Sequence, residues 1–268
     1  MKLKKKLMAL VAVLTLVLSS VFGLTACDNK TDWDYIQSKG KIVVGYTDYP
    51  PLDIKNNQNV LDAGFDYELA IAVGKKLGVE VEFKEITWSQ KVMDLNSKKV
   101  DLLWNGMTVS EELKKELNFS NSYMKNQQVA VVLADATYTD FDSVKAVADN
   151  KIGAEDGSAG LTFIEDKIPG KKAVALDKQL DIFTQLSTNK IEVGILDSVF
   201  ANYYINLDSN KGKFKTVSLP SNQEQFAIGM RKDDTEFAKK LNGALAELKE
   251  DNTIATLAKK YGLSSEIL

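Results

Sequence analysis

The sequence predicts an α/β protein of two lobes, and three observations carry that expectation. Residues 41–104 read strand, helix, strand, helix, strand, the order that builds a largely parallel sheet. Residues 127–204 repeat strand–turn–helix units. The chain then returns to an apolar run at 226–230, with no Gly/Pro/Ser linker between the units. Two crossing segments, 127–133 and 224–230, would join such lobes. The expected division is 41–130 for lobe 1, 131–224 for lobe 2 and 225–268 for the return into lobe 1.

In lobe 1, Lys41-Ile-Val-Val-Gly45 is a β-branched run and hence a strand. Two prolines make 46–51 a loop, and 53–59 is polar and turn-like. Leu69, Ala70, Ala72, Val73 and Leu77 stand at helical spacing, closed by Lys75, Lys76 and Gly78. Residues 79–86 alternate as a half-exposed strand ending near Trp88. A helix over 91–98 is expected to turn Val92, Met93 and Leu95 inward, before a buried strand over 100–104.

In lobe 2, 127–134, 151–154, 172–176 and 193–196 read as strands. Helices are expected over 142–148, from 161, over 180–188 and from 200. After the return, 236–250 and 253–261 are helices, stopped at Gly262.

Composition narrows the function. The 268 residues carry net charge −3, an ordinary globular balance that gives no support for nucleic-acid binding. No histidine and one cysteine exclude Ser-His-Asp and Cys-His catalysis and an internal disulfide, and argue against a metal site. No cofactor is expected.

The N-terminus reads as a targeting segment. Lys2, Lys4, Lys5 and Lys6 precede an apolar stretch over 7–22, then Leu24-Thr25-Ala26-Cys27. A lipoprotein signal over 1–26, an uncleaved anchor and an ordinary signal peptide all fit this outline. The lone cysteine, following small residues, favours the first, with Cys27 lipidated. Residues 27–40 then form a tether and a short helix containing Trp33 and Ile36. The mature chain is expected outside the cytoplasmic membrane, held by acyl chains.

The stretch Asp101–Ser120 focuses the functional reading. An apolar strand runs into Asn105-Gly106, and Thr108-Val-Ser110-Glu-Glu112 opens a helix. Such a place offers free backbone N–H groups to an anion; an ordinary capped β-to-α connection fits equally. Gly157-Ser158-Ala159 forms a similar turn. With Tyr49, Trp88, Met107 and Asp197 at other strand ends, the set reads as a zwitterion trap. Hydroxyls and N–H groups suit a carboxylate, Asp197 an ammonium, and the aromatics an apolar stem. Taken singly, Tyr49 and Trp88 also fit as core aromatics and Asp197 as a helix cap.

Several segments, in order, resemble the extracellular solute-binding proteins of polar amino-acid ABC transporters, family 3. They are KIVVGYTDYPP, GFDYELAIAVGKKLG, VDLLWNGMTVSEE with LNFS, AEDGSAG, LDSVFANYYI, FAIGMRK and DNTIATLAKKYG. The resemblance implies a type II periplasmic-binding-protein fold, two α/β lobes joined by a two-strand hinge around a ligand cleft. It implies closure over a polar amino acid and delivery to permease subunits. By position, Asp197 would meet the ammonium, the Gly106 carbonyl and Thr108 the ammonium and carboxylate side, and Ser158 and Ala159 the carboxylate. Tyr49 and Trp88 would pack on the side chain. One departure stands out: the family commonly places an arginine where this chain has Leu113, and Lys114 falls about 100° away on the helix. Asp48, Glu155 and Asp156 are expected as solvated rim charges, although a cationic ligand would also account for them.

Three functions are carried forward. The favoured one is a transport receptor without chemistry. The others are a receptor for a cationic solute that is not an α-amino acid, or a sensory lipoprotein, and a dehydratase-like enzyme using Glu112 or Glu155.

Overall fold

The computed structural model describes residues 31–220 and 223–268, so the predicted signal segment and Cys27 lie outside the described residues. Helix α1 (Asp32–Lys39) is capped by Thr31 through a box with Asp34, and Gly40 ends it in the left-handed region. It buries Trp33 and Ile36, as its spacing predicts.

Lobe 1 is built on a five-stranded sheet in the order β4-β1-β5-β14-β6. Strand β1 (Lys41–Tyr46) runs parallel to β4 (Glu80–Glu85) and β5 (Leu102–Leu103). It is buried along nearly its whole length, whereas the edge strand β4 alternates half-exposed. A small hairpin, β2 (Ile54–Lys55) with β3 (Leu61–Ala63), stands where the sequence suggested only a turn. Helix α2 (Phe65–Leu77) and helix α3 (Lys91–Asn96) follow, the latter after a single 3₁₀ turn over Trp88–Gln90. Helix α4 (Glu111–Glu116) is one short piece capped by Ser110, and it leads into β6 (Leu117–Phe119).

The chain crosses once through β7 (Met124–Asn126), then enters lobe 2. There the order is β10-β9-β11-β8-β12. Strand β8 (Gln128–Leu133) pairs with β11 (Val193–Asp197) and with β12 (Phe214–Ser218), both antiparallel. Strands β9 (Ile152–Glu155), β10 (Ala173–Leu176) and β11 are parallel. Helices α5 (Phe141–Lys145), α6 (Ala159–Lys167), α7 (Gln179–Ser187) and α8 (Ser198–Ile205) complete the lobe.

The return differs from the single strand expected over 226–230. It is two pieces, β13 (Glu224–Phe226) paired with β7 and β14 (Gly229–Arg231) inside the lobe 1 sheet. The two-stranded ribbon between the lobes is therefore β7 with β13. Strand β8, expected as a crossover, lies wholly in the second sheet, so a division at 130/131 would cut it. Helices α9 (Thr235–Glu250) and α10 (Thr253–Lys260) close lobe 1. On α9, Phe237, Leu241, Leu245 and Leu248 form one apolar stripe, and Phe237 meets Trp33 at 5.8 Å between ring centroids. Burial of each such side chain stabilises by about 1.5–3 kcal/mol.

One facing in lobe 1 is reversed from expectation. Met93 is 60% exposed, while Lys91 is buried. Leu95 is fully buried and Val92 packs against the core, as expected, so on that face only Met93 departs.

Candidate ligand-binding cleft

The C-terminal ends of β1, β5, β9 and β11 converge between the lobes, the position where open α/β sheets bind ligands. A cavity of about 190 Å³ lies there. It is below the roughly 300–1,000 Å³ of pockets for drug-sized molecules, so it suits one small solute. All ten residues singled out in the sequence line it: Tyr49, Trp88, Asn105, Gly106, Met107, Thr108, Gly157, Ser158, Ala159 and Asp197. The same wall holds Lys91, Glu112, Leu113, Glu155 and Gln179.

Local structure explains how lobe 1 presents its part. The Asp66 carboxylate, fully buried on α2, accepts from the Gly106 N–H at 3.0 Å and the Tyr123 hydroxyl at 2.8 Å. Asn105 accepts from the Thr47 N–H and donates to the Thr47 hydroxyl. Together these fix the turn. Gly106 has φ +59°, and a Cβ there would stand 2.9 Å from Leu52 and 3.1 Å from the Tyr49 ring, so only glycine fits without displacement. Beneath the turn, burial pushes the Asp66 carboxyl up to about 7, against the hydrogen bonds from Tyr123 and Gly106 that favour its charge.

Asp197 ends β11 and precedes α8, yet its side chain does not cap that helix. It turns instead into a polar cluster and is only 6% exposed. Its Oδ1 accepts from Asn126 Nδ2 at 2.5 Å and Gln128 Nε2 at 2.7 Å, and Oδ2 accepts from Gln179 Nε2 at 2.6 Å. An ionised carboxylate offers about four acceptor sites, so three amides leave one. The Tyr49 hydroxyl is buried beside it without a well-formed hydrogen bond. Burial raises the Asp197 carboxyl, and the amide donors pull it back.

The sequence reading placed Glu224 at the start of a crossing segment but gave it no part in the site. It stands on β13, in the ribbon between the lobes. Its Oε2 accepts from Asn126 at 3.0 Å, Gln128 at 2.9 Å and the Thr108 hydroxyl at 3.2 Å. Asn126 and Gln128 thus each bridge Asp197 and Glu224, and Thr108 ties lobe 1 to the same group.

Glu155 is not a solvated rim charge. It ends β9, is 3% exposed and lines the cavity, whereas Asp156 beside it is exposed. Burial, with Asp197 on the neighbouring strand, pushes its carboxyl up to about 8. Lys91 was read as a helix start. It is 7% exposed, and its Nζ sits 4.8 Å from the Trp88 ring centroid and donates to the Gly157 carbonyl at 2.7 Å. Burial lowers it to about 8. The available signal was its position three residues after Trp88, which one turn brings over the indole.

Ser158 caps α6 by accepting from the Leu161 N–H, which leaves the first N–H groups of that helix at the cavity wall. Leu113 is half-buried at the cavity, and Lys114 pairs with Glu111 on the exposed side of α4. The lobes touch around the cavity. Besides Lys91 with Gly157, Lys178 lies 3.3 Å from Glu85, and the Tyr49 ring packs on Phe200 at 5.2 Å. Gly157 has φ +69°, and a Cβ there would lie 2.8 Å from the Ser89 Cα across the cleft.

Comparison with known proteins adds the following. Residues 42–264 match the sequence model of the bacterial extracellular solute-binding proteins, family 3. The arginine-binding extracellular protein ArtP of Bacillus subtilis (strain 168) is 29% identical, over 97% of this chain and 98% of that one. Among solved structures, the substrate-binding protein of an ABC uptake transporter from Streptococcus pneumoniae with bound histidine superposes with a TM-score of 0.81. It shares 29% identity and covers 87% of this chain and 96% of its own. An ancestral amino acid-binding protein, a precursor of cyclohexadienyl dehydratase, matches with a TM-score of 0.77 and 28% identity over 85% and 98%. Among the described residues, no helix is long and apolar enough to cross a membrane.

Proposed function

The chain belongs to the bacterial extracellular solute-binding proteins, family 3, and from that membership we propose that it captures a polar amino acid between its lobes for an ABC importer. The observation that carries this reading is Asp197. A buried carboxylate that is oriented by three amides, ignores the helix it precedes and lines the cavity suits an α-ammonium. The N–H groups at the start of α6, with Thr108, take the carboxylate, the Gly106 carbonyl joins Asp197 at the ammonium, and Tyr49 and Trp88 flank the side chain. Leu113 removes a guanidinium from this arrangement, so the carboxylate rests on backbone dipoles.

Capture proceeds by closure. Ligand contacts made to both lobes favour the closed arrangement, with the β7–β13 ribbon as hinge. The captured solute passes to permease subunits. Cys27 anchors the chain to the outer face of the membrane through acyl chains; a Cys27→Ala variant that still fractionates with membranes would remove that part of the reading.

A thermal-shift screen of the full chain against amino acids, polyamines and betaines tests the whole. Ligand at 100 times its Kd adds about 2.7 kcal/mol to stability. A shift with a polar amino acid supports the proposal. A shift only with a cation lacking a carboxylate replaces it with a receptor for a cationic solute.

Glu155 favours a second reading, turnover, because a carboxyl near 8 suits a general acid. Among the described residues its hydrogen-bonding neighbour is the Gln179 amide, which is no base, so binding without chemistry is the stronger reading. Recovery of a chemically altered ligand after incubation would reverse that order.

A further inference from the structure

The loop over 47–53 carries Tyr49 to the cleft, and a buried acid stands at its other end. Tyr49 and Asp53 bond each other backbone to backbone in both directions at 2.9 Å, which closes the loop. The loop then straps the start of α2. The Pro51 carbonyl accepts from the Phe65 N–H at 3.0 Å, and the Leu52 carbonyl accepts from the Asp66 N–H at 2.9 Å. These are the first N–H groups of the helix, so backbone carbonyls already occupy the place where an anion is otherwise stabilised. The fit is close: a Cβ on Gly64, just before α2, would stand 2.1 Å from the Leu52 carbonyl oxygen. From this strap the Tyr49 ring lines the cavity and packs on Phe200 of lobe 2.

Asp53 is fully buried, and neither of its carboxyl oxygens has a hydrogen-bond partner among the described residues. The charges around it share its sign. Helix α2 contributes Asp66, also buried, whose Oδ2 is committed to Gly106 and Tyr123. The loop itself contributes the half-buried Asp48, and β1 and the segment before β7 contribute the phenols of Tyr46 and Tyr123. Basic residues on neighbouring elements are spent elsewhere, Lys55 of β2 on Glu85 and Lys260 of α10 on Glu68. Tyr261, after α10, accepts from the Gly64 N–H and bonds Glu68, and the exposed Asp62 of β3 accepts from the Asn56 amide. An ionised carboxylate with neither donor nor counter-cation is costly to bury, and such a group neutralises instead. Burial first, and then the charges of Asp66 and Asp48, raise the Asp53 carboxyl well above its ordinary range.

We propose that Asp53 is a positioning residue for Tyr49: as a neutral acid it lets the 47–53 loop seat on α2, and on giving up its proton it lifts the loop and takes that wall from the cleft. This deepens the amino-acid reading, on which its ligand part rests; the seating of the loop stands without a ligand. Asp53 itself does not line the cavity, so the control is exerted from behind the site. The seated loop keeps a proton that the released loop gives up. Seating is therefore complete at low pH and is lost as pH rises. An ionised Asp53 also repels Asp66, which loosens the Gly106 turn that Asp66 holds.

The test is hydrogen exchange of the full chain, extracted in mild detergent and free of ligand, at about pH 5 and about pH 9, each corrected for intrinsic exchange. The amides of 47–53 are expected to lose protection by about tenfold or more at the higher pH, on the scale of an unpartnered buried charge. Those of the lobe 2 sheet keep theirs. Asp53→Asn, which has no proton to lose, is expected to remove that fall. Should its amide donors prevent folding, Asp53→Ala is measured in its place with the same expectation. Equal loss in parent and variant overturns the proposal, and so does a parent loop equally protected at both values.

Calorimetric titration with L-arginine and with L-glutamine at the same two values reads the ligand part. Glu155 and Lys91 titrate on the cavity wall, so the quantity read is the difference between the parent and Asp53→Asn, in which both remain. The parent is expected to bind more weakly at the higher pH by about tenfold or more, and the variant to show a smaller fall. An equal fall overturns the role in capture. No binding of either probe at either value, with the loop still proton-dependent, supports the seat of Asp53 and counts against the amino-acid reading.

Discussion

Gln179 Nε2 donates to Asp197 Oδ2 at 2.6 Å, joining the first residue of α7 to the last of β11. This bond, opposed by two amide donors on Oδ1, holds the carboxylate away from the helix it precedes. Asp197→Ala should weaken amino-acid binding by about 2–5 kcal/mol, because a buried ammonium loses its counter-charge. Gln179→Ala should weaken it less, since two amides remain. Titration calorimetry on both variants checks the order, and equal losses would contradict it.

Leu113 sits half-buried on the cavity wall, where among the described residues no cation lies except Lys91. Leu113→Arg should raise affinity for simple α-amino acids by about tenfold or more through a bidentate contact with the carboxylate. Unchanged affinity across the amino acids would place the carboxylate elsewhere.

Glu155 links stability to pH with a definite sign. Its ordinary value is 4.5 and its folded value about 8, so the folded chain keeps a proton that the unfolded chain releases. The stabilisation is full below 4.5 and is lost as pH rises to about 8. The unfolding midpoint of Glu155→Gln, compared with the parent in the absence of ligand, should therefore improve between pH 5 and pH 8. A constant difference would mean that Glu155 does not hold its proton in the fold.

Asp66 supports the Gly106 turn from behind. Asp66→Ala strands the Gly106 N–H and the Tyr123 hydroxyl, and should cost about 2–4 kcal/mol in denaturant unfolding. Asp66→Asn keeps an acceptor and relieves the repulsion with Asp53, so it should be close to neutral. If both variants lose the same stability, the hydrogen bonds are not what matters.

The sequence by itself determined the alternation of strands and helices, the two lobes and the strand ends that meet at the cleft. These follow from local apolar period, Gly and Pro punctuation and caps, each legible within a dozen residues. It placed Tyr49, Trp88, Asn105 to Thr108, Gly157 to Ala159 and Asp197 on one surface, because turns after strands share one edge of a sheet. Tertiary structure alone decided which charges lie inside. Lys91 and Glu155 look like surface residues in a list, and Met93 looks like a core one. The contact of Lys91 with Gly157 across the cleft and the pairing of β9 with β11 place those two charges inside. Glu224 enters the site only because β13 pairs with β7, about a hundred residues away in sequence. Burial and charge proximity are properties of packed elements, and no local pattern encodes them.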